Sequence, residues 1–138
     1  MPRKLSRKNQ KMVTYKQMCR RENRKRMSRG MFANDDDDYS IVLLSDRHYN
    51  DLTIDDNTII YCGQGKKNRN QTYTETNLKF KDFIESRAAS KGNHRKVRVY
   101  KKNTRTKTWQ CYGEYDLKST WIDLDQHGFK TIKFLLQR

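Results

Sequence analysis

No apolar run in this 138-residue chain approaches the roughly 20 residues that a membrane-spanning helix needs. Its first eleven residues, MPRKLSRKNQK, lack the apolar core of a signal peptide. Cysteine is sparse: Cys19, Cys62 and Cys111 lie far apart with no CxxC pair, and His48, His94 and His127 are equally scattered. That spacing argues against a zinc site. An odd cysteine count without a leader fits a reducing, intracellular setting. The phosphate-binding pattern GxxxxGK[ST] is absent, as are PD-ExK and HNH nuclease patterns. Acid pairs such as Asp55-Asp56 and Asp123 with Asp125 sit in turn-like sequence, where carboxylates cap and solvate. The expectation is therefore no enzyme, no metal and no cofactor. Hydrophobic residues are also scarce, at 33% with a mean hydropathy of −1.20. Five Phe, two Trp and eight Tyr nonetheless set the chain apart from disordered sequences, which are poor in aromatics.

What the chain has in abundance is positive charge, net +15. A basic chain of one-domain length is drawn to polyanions. The charge falls in three blocks. Residues 1–30 carry 12 Lys/Arg and one acid, Glu22. Residues 31–56 carry one Arg and eight Asp, and residues 57–138 carry 18 Lys/Arg and seven acids. The first block reads as a basic N-terminal tail, flexible or helical on binding, with Arg20, Arg21, Arg24, Lys25 and Arg26 dense enough for phosphate contact or nuclear import. Asp35 to Asp38 read as a solvated acidic loop that folds back on the tail.

From Tyr39 the pattern changes. Ile41 to Leu44 and Thr58 to Gly63 are short apolar runs suited to buried strands. Leu78, Phe80, Phe83 and Ile84 have helical spacing within 77–86. Lys96 to Tyr100 alternates with period two, as a half-buried strand does. Thr108 to Tyr112 and Glu114 to Lys118 read as strands on either side of Gly113, and Ile132, Phe134 and Leu136 alternate in a closing strand. No internal repeat is visible. Many short strands around one or two helices predict a mainly β, barrel-like domain over residues 31–138.

Four segments in order resemble the SRA-YDG (SET- and RING-associated) family, a PUA-like β-barrel group. Tyr39 to Ser45 resembles the family's YSIVLSGG strand. Tyr49-Asn50-Asp51 resembles its YEDD. Tyr61-Cys62-Gly63-Gln64-Gly65, beginning twelve residues after Tyr49, resembles YTGxGG. Gln71 to Leu78 resembles DQxLTxxNxAL. More loosely, Val97 to Tyr100 resembles PVRVVR, Tyr112 to Leu117 resembles YDGxYxV, and Phe134 to Arg138 resembles the closing FxLxR strand.

The resemblance implies binding to double-stranded DNA and recognition of a modified, methylated cytosine by base flipping. It implies a base pocket of Tyr49, Asp51, Leu52, Tyr61, Cys62 and Gly63, with the two tyrosines replacing lost stacking. One departure stands out: the family's cytosine-reading acid falls at Leu52, with Asp51 one residue earlier. Lys66, Lys67, Arg69, Arg95, Lys96, Lys101 and Lys102 are the expected contacts to DNA backbone or groove. A chromatin protein or a nuclease is a compatible further partner, and a nuclear location follows for a eukaryotic host. Two alternatives share the charge: an RNA-binding PUA-like module, and a basic packaging or protein-interaction protein.

Overall fold

The computed structural model describes residues 12–33, 39–44, 52–66, 68–88 and 94–138. The acidic run Asp35 to Asp38 lies outside them. Among the described residues there are eight strands and two helices: β1 Met12–Val13, α1 Tyr15–Arg21, β2 Met31–Ala33, β3 Tyr39–Leu44, β4 Leu52–Asp55, β5 Thr58–Cys62, α2 Glu75–Ala88, β6 Lys96–Asn103, β7 Thr108–Leu124 and β8 Lys130–Gln137. One sheet runs β2-β3-β6-β7-β8-β5-β4, with β1 paired to β7. The β3–β6 pair is parallel; every other ladder is antiparallel. This is the mainly β architecture expected of the chain.

The sheet separates two apolar clusters. One gathers Val42, Leu44, Tyr61, Val97, Val99, Tyr115, Leu117, Ile132 and Phe134 under α2. The other gathers Ile41, Leu43, Tyr100 and Trp109 with Val13, Met18, Cys19 and Met27. Side chains alternate across a strand, so an unbroken apolar run such as Ile41 to Leu44 must be covered on both faces. Helix α2 covers one face with Phe80, which meets the Phe134 ring edge-on at 5.4 Å, and with Phe83 and Ile84. Leu78, part of the same helical spacing, points outward at 41% exposure.

The second face is covered by the segment read as a tail. Residues 1–11 of it lie outside the described residues. From Met12 onward the expectation is corrected: β1 pairs with Trp109 and Gln110 of β7, and α1 packs Met18 and Cys19 inward. Helix α1 is too short to hold itself. It starts on a capping box, with Thr14 and Gln17 exchanging side chain-to-backbone bonds of 3.2 and 2.9 Å. Arg20 and Arg21 sit in the last turn, where the helix dipole favours cations. Complete burial of Met18 and near-complete burial of Met27 each stabilise the docked state by roughly 1.5–3 kcal/mol.

The single acid of the basic block makes the strongest tether. The Glu22 carboxylate is fully covered and accepts two bonds of 2.8 Å from Arg98 and one from the Tyr100 hydroxyl. Arg98 also reaches Glu114 at 3.2 Å and lies over the Tyr39 ring. Burial opposes the charge on Arg98, but its hydrogen bonds to Glu22 and the charge of that carboxylate hold its pKa above the usual arginine value. Burial, and then the bond to Glu22, push the Tyr100 phenol well above its ordinary value. A group whose pKa is raised by folding lends stability below its unfolded value and loses it as pH climbs. The domain is therefore expected to lose stability as pH rises above about 10. Tyr100→Phe flattens that slope in denaturation curves taken between neutral and strongly alkaline pH. Equal slopes would mean that the phenol is not held protonated by folding.

Strand β7 continues through Gly113, where two strands had been expected. Val99 pairs with Gly113 and Tyr100 with Cys111, so Tyr112 is an extra residue on the β7 side. Gly113 takes a φ of 93° at this bulge, a value that L side chains rarely adopt. A second register shift lies between Leu117 and Ser119. Bulges bend a strand and sharpen its twist, which lets one 17-residue strand serve β6, β8 and β1 in turn.

Candidate functional site

At the Leu44 end of β3 the fold leaves a cavity of about 750 Å³. Four stretches wall it: Tyr15 on α1, Met27 to Gly30 before β2, Tyr61 and Gln64 at the end of β5, and Lys102 to Trp109 around the β6–β7 turn. Leu43 and Leu44 also line it. A cavity of this size, apolar within and carrying a few convergent polar groups, is of the kind that takes a small ligand.

The walls are tied to one another. Tyr61, 1% exposed, donates from its hydroxyl to the Gly30 carbonyl at 2.7 Å. Gly30 must be glycine for that approach, since a Cβ there would lie 2.8 Å from the Tyr61 hydroxyl oxygen. The same carbonyl accepts from the Leu43 amide at 2.8 Å. On the other side the Met27 amide donates to the Tyr15 hydroxyl at 2.7 Å. Beyond Tyr61 the chain is packed just as closely. A Cβ on Gly63 would meet Asn77 Oδ1 at 2.7 Å, and one on Gly65 would meet Gln71 at 2.6 Å. Neither glycine has a positive φ, so close approach is what they provide. Gln71 donates to the Gly63 carbonyl and to the Cys62 sulfur, and accepts from the Ile132 amide.

The residues predicted from sequence are partly brought together. Tyr61 reaches the cavity. Cys62 and Gly63 are buried beside it against Gln71 and Asn77, outside the lining. Tyr49, Asp51 and Lys67 lie outside the described residues. Leu52 opens β4 opposite Ile60, next to Tyr61. Lys102 lines the cavity, with its ammonium 5.8 Å from the centre of the Trp109 ring. Lys101 precedes it, and Lys66 and Arg69 are exposed on the stretch after Gln64.

Arg95 and Lys96 stand apart. Arg95 was expected to hold DNA but is 4% exposed, bonded to the Ser40 hydroxyl and the Tyr39 carbonyl and stacked on Phe83. This corrects its assignment, because a guanidinium bonded inward has no reach to a phosphate. Lys96 is paired with Asp116. Six residues of extended strand, roughly 20 Å, separate it from Lys102. Among the tail cations, Arg20, Arg21, Lys25 and Arg26 are exposed, while Arg24 lies 4.6 Å from the centre of the Phe32 ring.

Sequence reasoning missed Tyr15, Arg29, Gln64, Lys107 and Trp109 as cavity residues. The lone glycine after a basic run, Gly30, was the available signal that this stretch approaches another backbone closely. Among the described residues no three His, Cys, Asp or Glu gather to hold a metal, and no helix is long and apolar enough to cross a membrane.

A mostly β single-sheet domain with a walled cavity at the ends of β3 and β5 defines the class: an SRA-type domain. The chain belongs to the SAD/SRA domain family, whose model matches residues 7–138. Its fold is similar to the SUVH5 SRA domain solved in a complex with methylated CHH DNA, at 24% identity and a TM-score of 0.70, covering 93% of this chain and 86% of that one. The SUVH5 SRA domain bound to fully hydroxymethylated CG DNA aligns at 25% identity and a TM-score of 0.70, covering 94% and 87%. The modification-dependent restriction endonuclease TagI aligns at 15% identity and a TM-score of 0.67, covering 99% of this chain and 49% of that one. No curated protein matches the chain. The match from residue 7 takes in the segment 12–33, which packs on the sheet.

Proposed function

We propose that this chain is a duplex-DNA reader that takes a modified cytosine into the cavity at the end of β5. The observation that carries the reading is the placement of Tyr61. The residue that the family resemblance puts against a flipped base forms a wall of a cavity large enough for one. The lining includes cations of a kind that hold phosphates, Arg29, Lys102 and Lys107. Tyr49 and Asp51, outside the described residues, are the further base-contacting residues that the family resemblance implies. Lys66, Arg69 and Lys101, with Arg20, Arg21, Lys25 and Arg26, are further candidate contacts to the DNA backbone, as is Lys67, outside the described residues. Relatives solved with methylated and hydroxymethylated DNA support this choice over RNA or protein packaging. The chain acts in this reading without catalysis of its own, in company with chromatin proteins or a nuclease. Its place of work is inside the cell, and the nucleus in a eukaryotic host.

A binding series at one fixed salt concentration tests the reading, with duplexes that differ only in carrying cytosine, 5-methylcytosine or 5-hydroxymethylcytosine. Tenfold or greater preference for a modified duplex is expected, since the 5-substituent is met only inside the pocket. Equal affinity for all three reduces the protein to a charge-driven binder. Structured RNA competing as well as duplex DNA of equal length would favour the RNA module.

A further inference from the structure

We propose that Gln64 reads the hydrogen-bonding edge of the base in the cavity, and that its amide accepts both amino- and oxo-pyrimidines. The inference rests on the base-reading function above and specifies what that pocket distinguishes.

Gln64 is half-buried on the cavity wall beside Tyr61. Its backbone is clamped: its amide donates to Asn77 Oδ1 at 2.9 Å, and its carbonyl accepts from Asn77 Nδ2 at 2.8 Å. Asn77 is 2% exposed and is held in turn by the Thr72 carbonyl. The flanking glycines leave no room for a Cβ, which fixes the path of the chain on either side. A side chain on such a platform points from a defined origin. Yet the Gln64 amide makes no hydrogen bond among the described residues, whereas the Tyr61 and Tyr15 hydroxyls at the same cavity are engaged within the protein. Of the described lining residues Gln64 alone carries an amide.

An amide offers an acceptor oxygen and a donor nitrogen side by side. Oriented one way, it pairs with the 4-amino group and N3 of cytosine. Turned by 180°, it pairs with O4 and N3–H of thymine or uracil. A carboxylate, which only accepts, meets one group of each edge, the 4-amino group of cytosine or the N3–H of thymine, and repels the neighbouring N3 or O4. A Gln64 reader therefore recognises 5-methylcytosine and thymine alike once the base is out of the stack. In normal DNA the thymine·adenine pair opposes that step, while a mismatch lowers its cost.

The test compares three duplexes alike except at one pair: cytosine opposite guanine, 5-methylcytosine opposite guanine, and thymine mismatched with guanine. The last two share the 5-methyl group and differ at position 4. The wild-type protein is expected to bind them within about threefold of each other, and both at least tenfold more tightly than the unmodified duplex. Gln64→Glu weakens binding to both by tenfold or more, because a carboxylate faces one unmatched acceptor on either base. Gln64→Leu loses the preference for both over the unmodified duplex. Both variants are accepted as folded on an unchanged thermal midpoint; if Gln64→Leu is not, the isosteric Gln64→Glu decides alone. A wild-type protein that rejects the mismatch, or a Gln64→Glu protein that treats both duplexes as the wild type does, overturns the proposal. So does loss of discrimination in Asp51→Asn but not in Gln64→Leu, which gives the role to Asp51. A wild-type protein without preference for 5-methylcytosine over cytosine instead sinks the base-reading function itself.

Discussion

Glu22→Ala is expected to destabilise the domain by about 3–5 kcal/mol, the usual consequence of leaving one member of a buried ion pair alone. The carboxylate is fully covered, and its loss strands both the Arg98 guanidinium and the Tyr100 hydroxyl. Glu114 remains to Arg98 at 3.2 Å, so the lower part of that range is the expected result. Glu22 is the residue at which α1 ends. Its removal therefore frees the N-terminal segment from β6 as well as weakening the core. Since Tyr15 and Met27 to Gly30 come from that segment, the cavity loses one wall. Denaturant unfolding measures the stability change, and the modified-DNA preference should fall in parallel. Replacing Glu22 and Arg98 together by methionine restores much of the loss, because apolar side chains of similar volume can stand in for a buried pair. A change below about 1 kcal/mol in Glu22→Ala would show that the ion pair does not anchor the segment.

The second large effect is electrostatic. Arg29, Lys102 and Lys107 line the cavity on two separate stretches of chain. The triple variant Arg29→Gln, Lys102→Gln, Lys107→Asn removes three cations with little loss of bulk. Asparagine suits position 107, whose φ of 57° lies in the left-handed region that it tolerates. Each neutralised phosphate contributes about 0.9 to the slope of log K against log salt. The variant is expected to flatten that slope by about 2.7 if all three meet phosphates. Binding should weaken equally for methylated and unmodified duplexes, because phosphate contacts position the DNA without reading it. The matching variant at Lys96, which is paired with Asp116 away from the cavity, should leave the slope nearly unchanged. An unchanged slope in the triple variant would place the DNA on another face.

Much of the fold was legible in the chain itself. Alternation at Lys96 to Tyr100 and at Ile132 to Leu136 is the direct signature of strands with one face buried, and both are found. The run Ile41 to Leu44 announced a strand buried on both sides. The spacing of Phe80, Phe83 and Ile84 placed α2. Positive charge and the order of the aromatic motifs, read locally, pointed to the family and to Tyr61.

What the chain alone left undecided was which residues face one another. Its first 30 residues have little apolar content, and nothing local distinguishes a solvated basic arm from a segment with four buried apolar side chains and a buried acid. Glu22 reads as one acid among twelve cations until Arg98 and Tyr100, 76 and 78 residues away, close around it. Arg95 has the composition of a phosphate contact, and only its surroundings, Ser40, Tyr39 and Phe83, turn it into a structural residue. The same holds at the cavity, where Arg29, Gln64 and Lys107 become neighbours through the β3–β6 crossover and the bulged course of β7. Burial, pairing and the direction of a side chain are properties of contacts between distant positions. Periodicity and composition act over a few residues, and so they determined the strands and the charge but not the site.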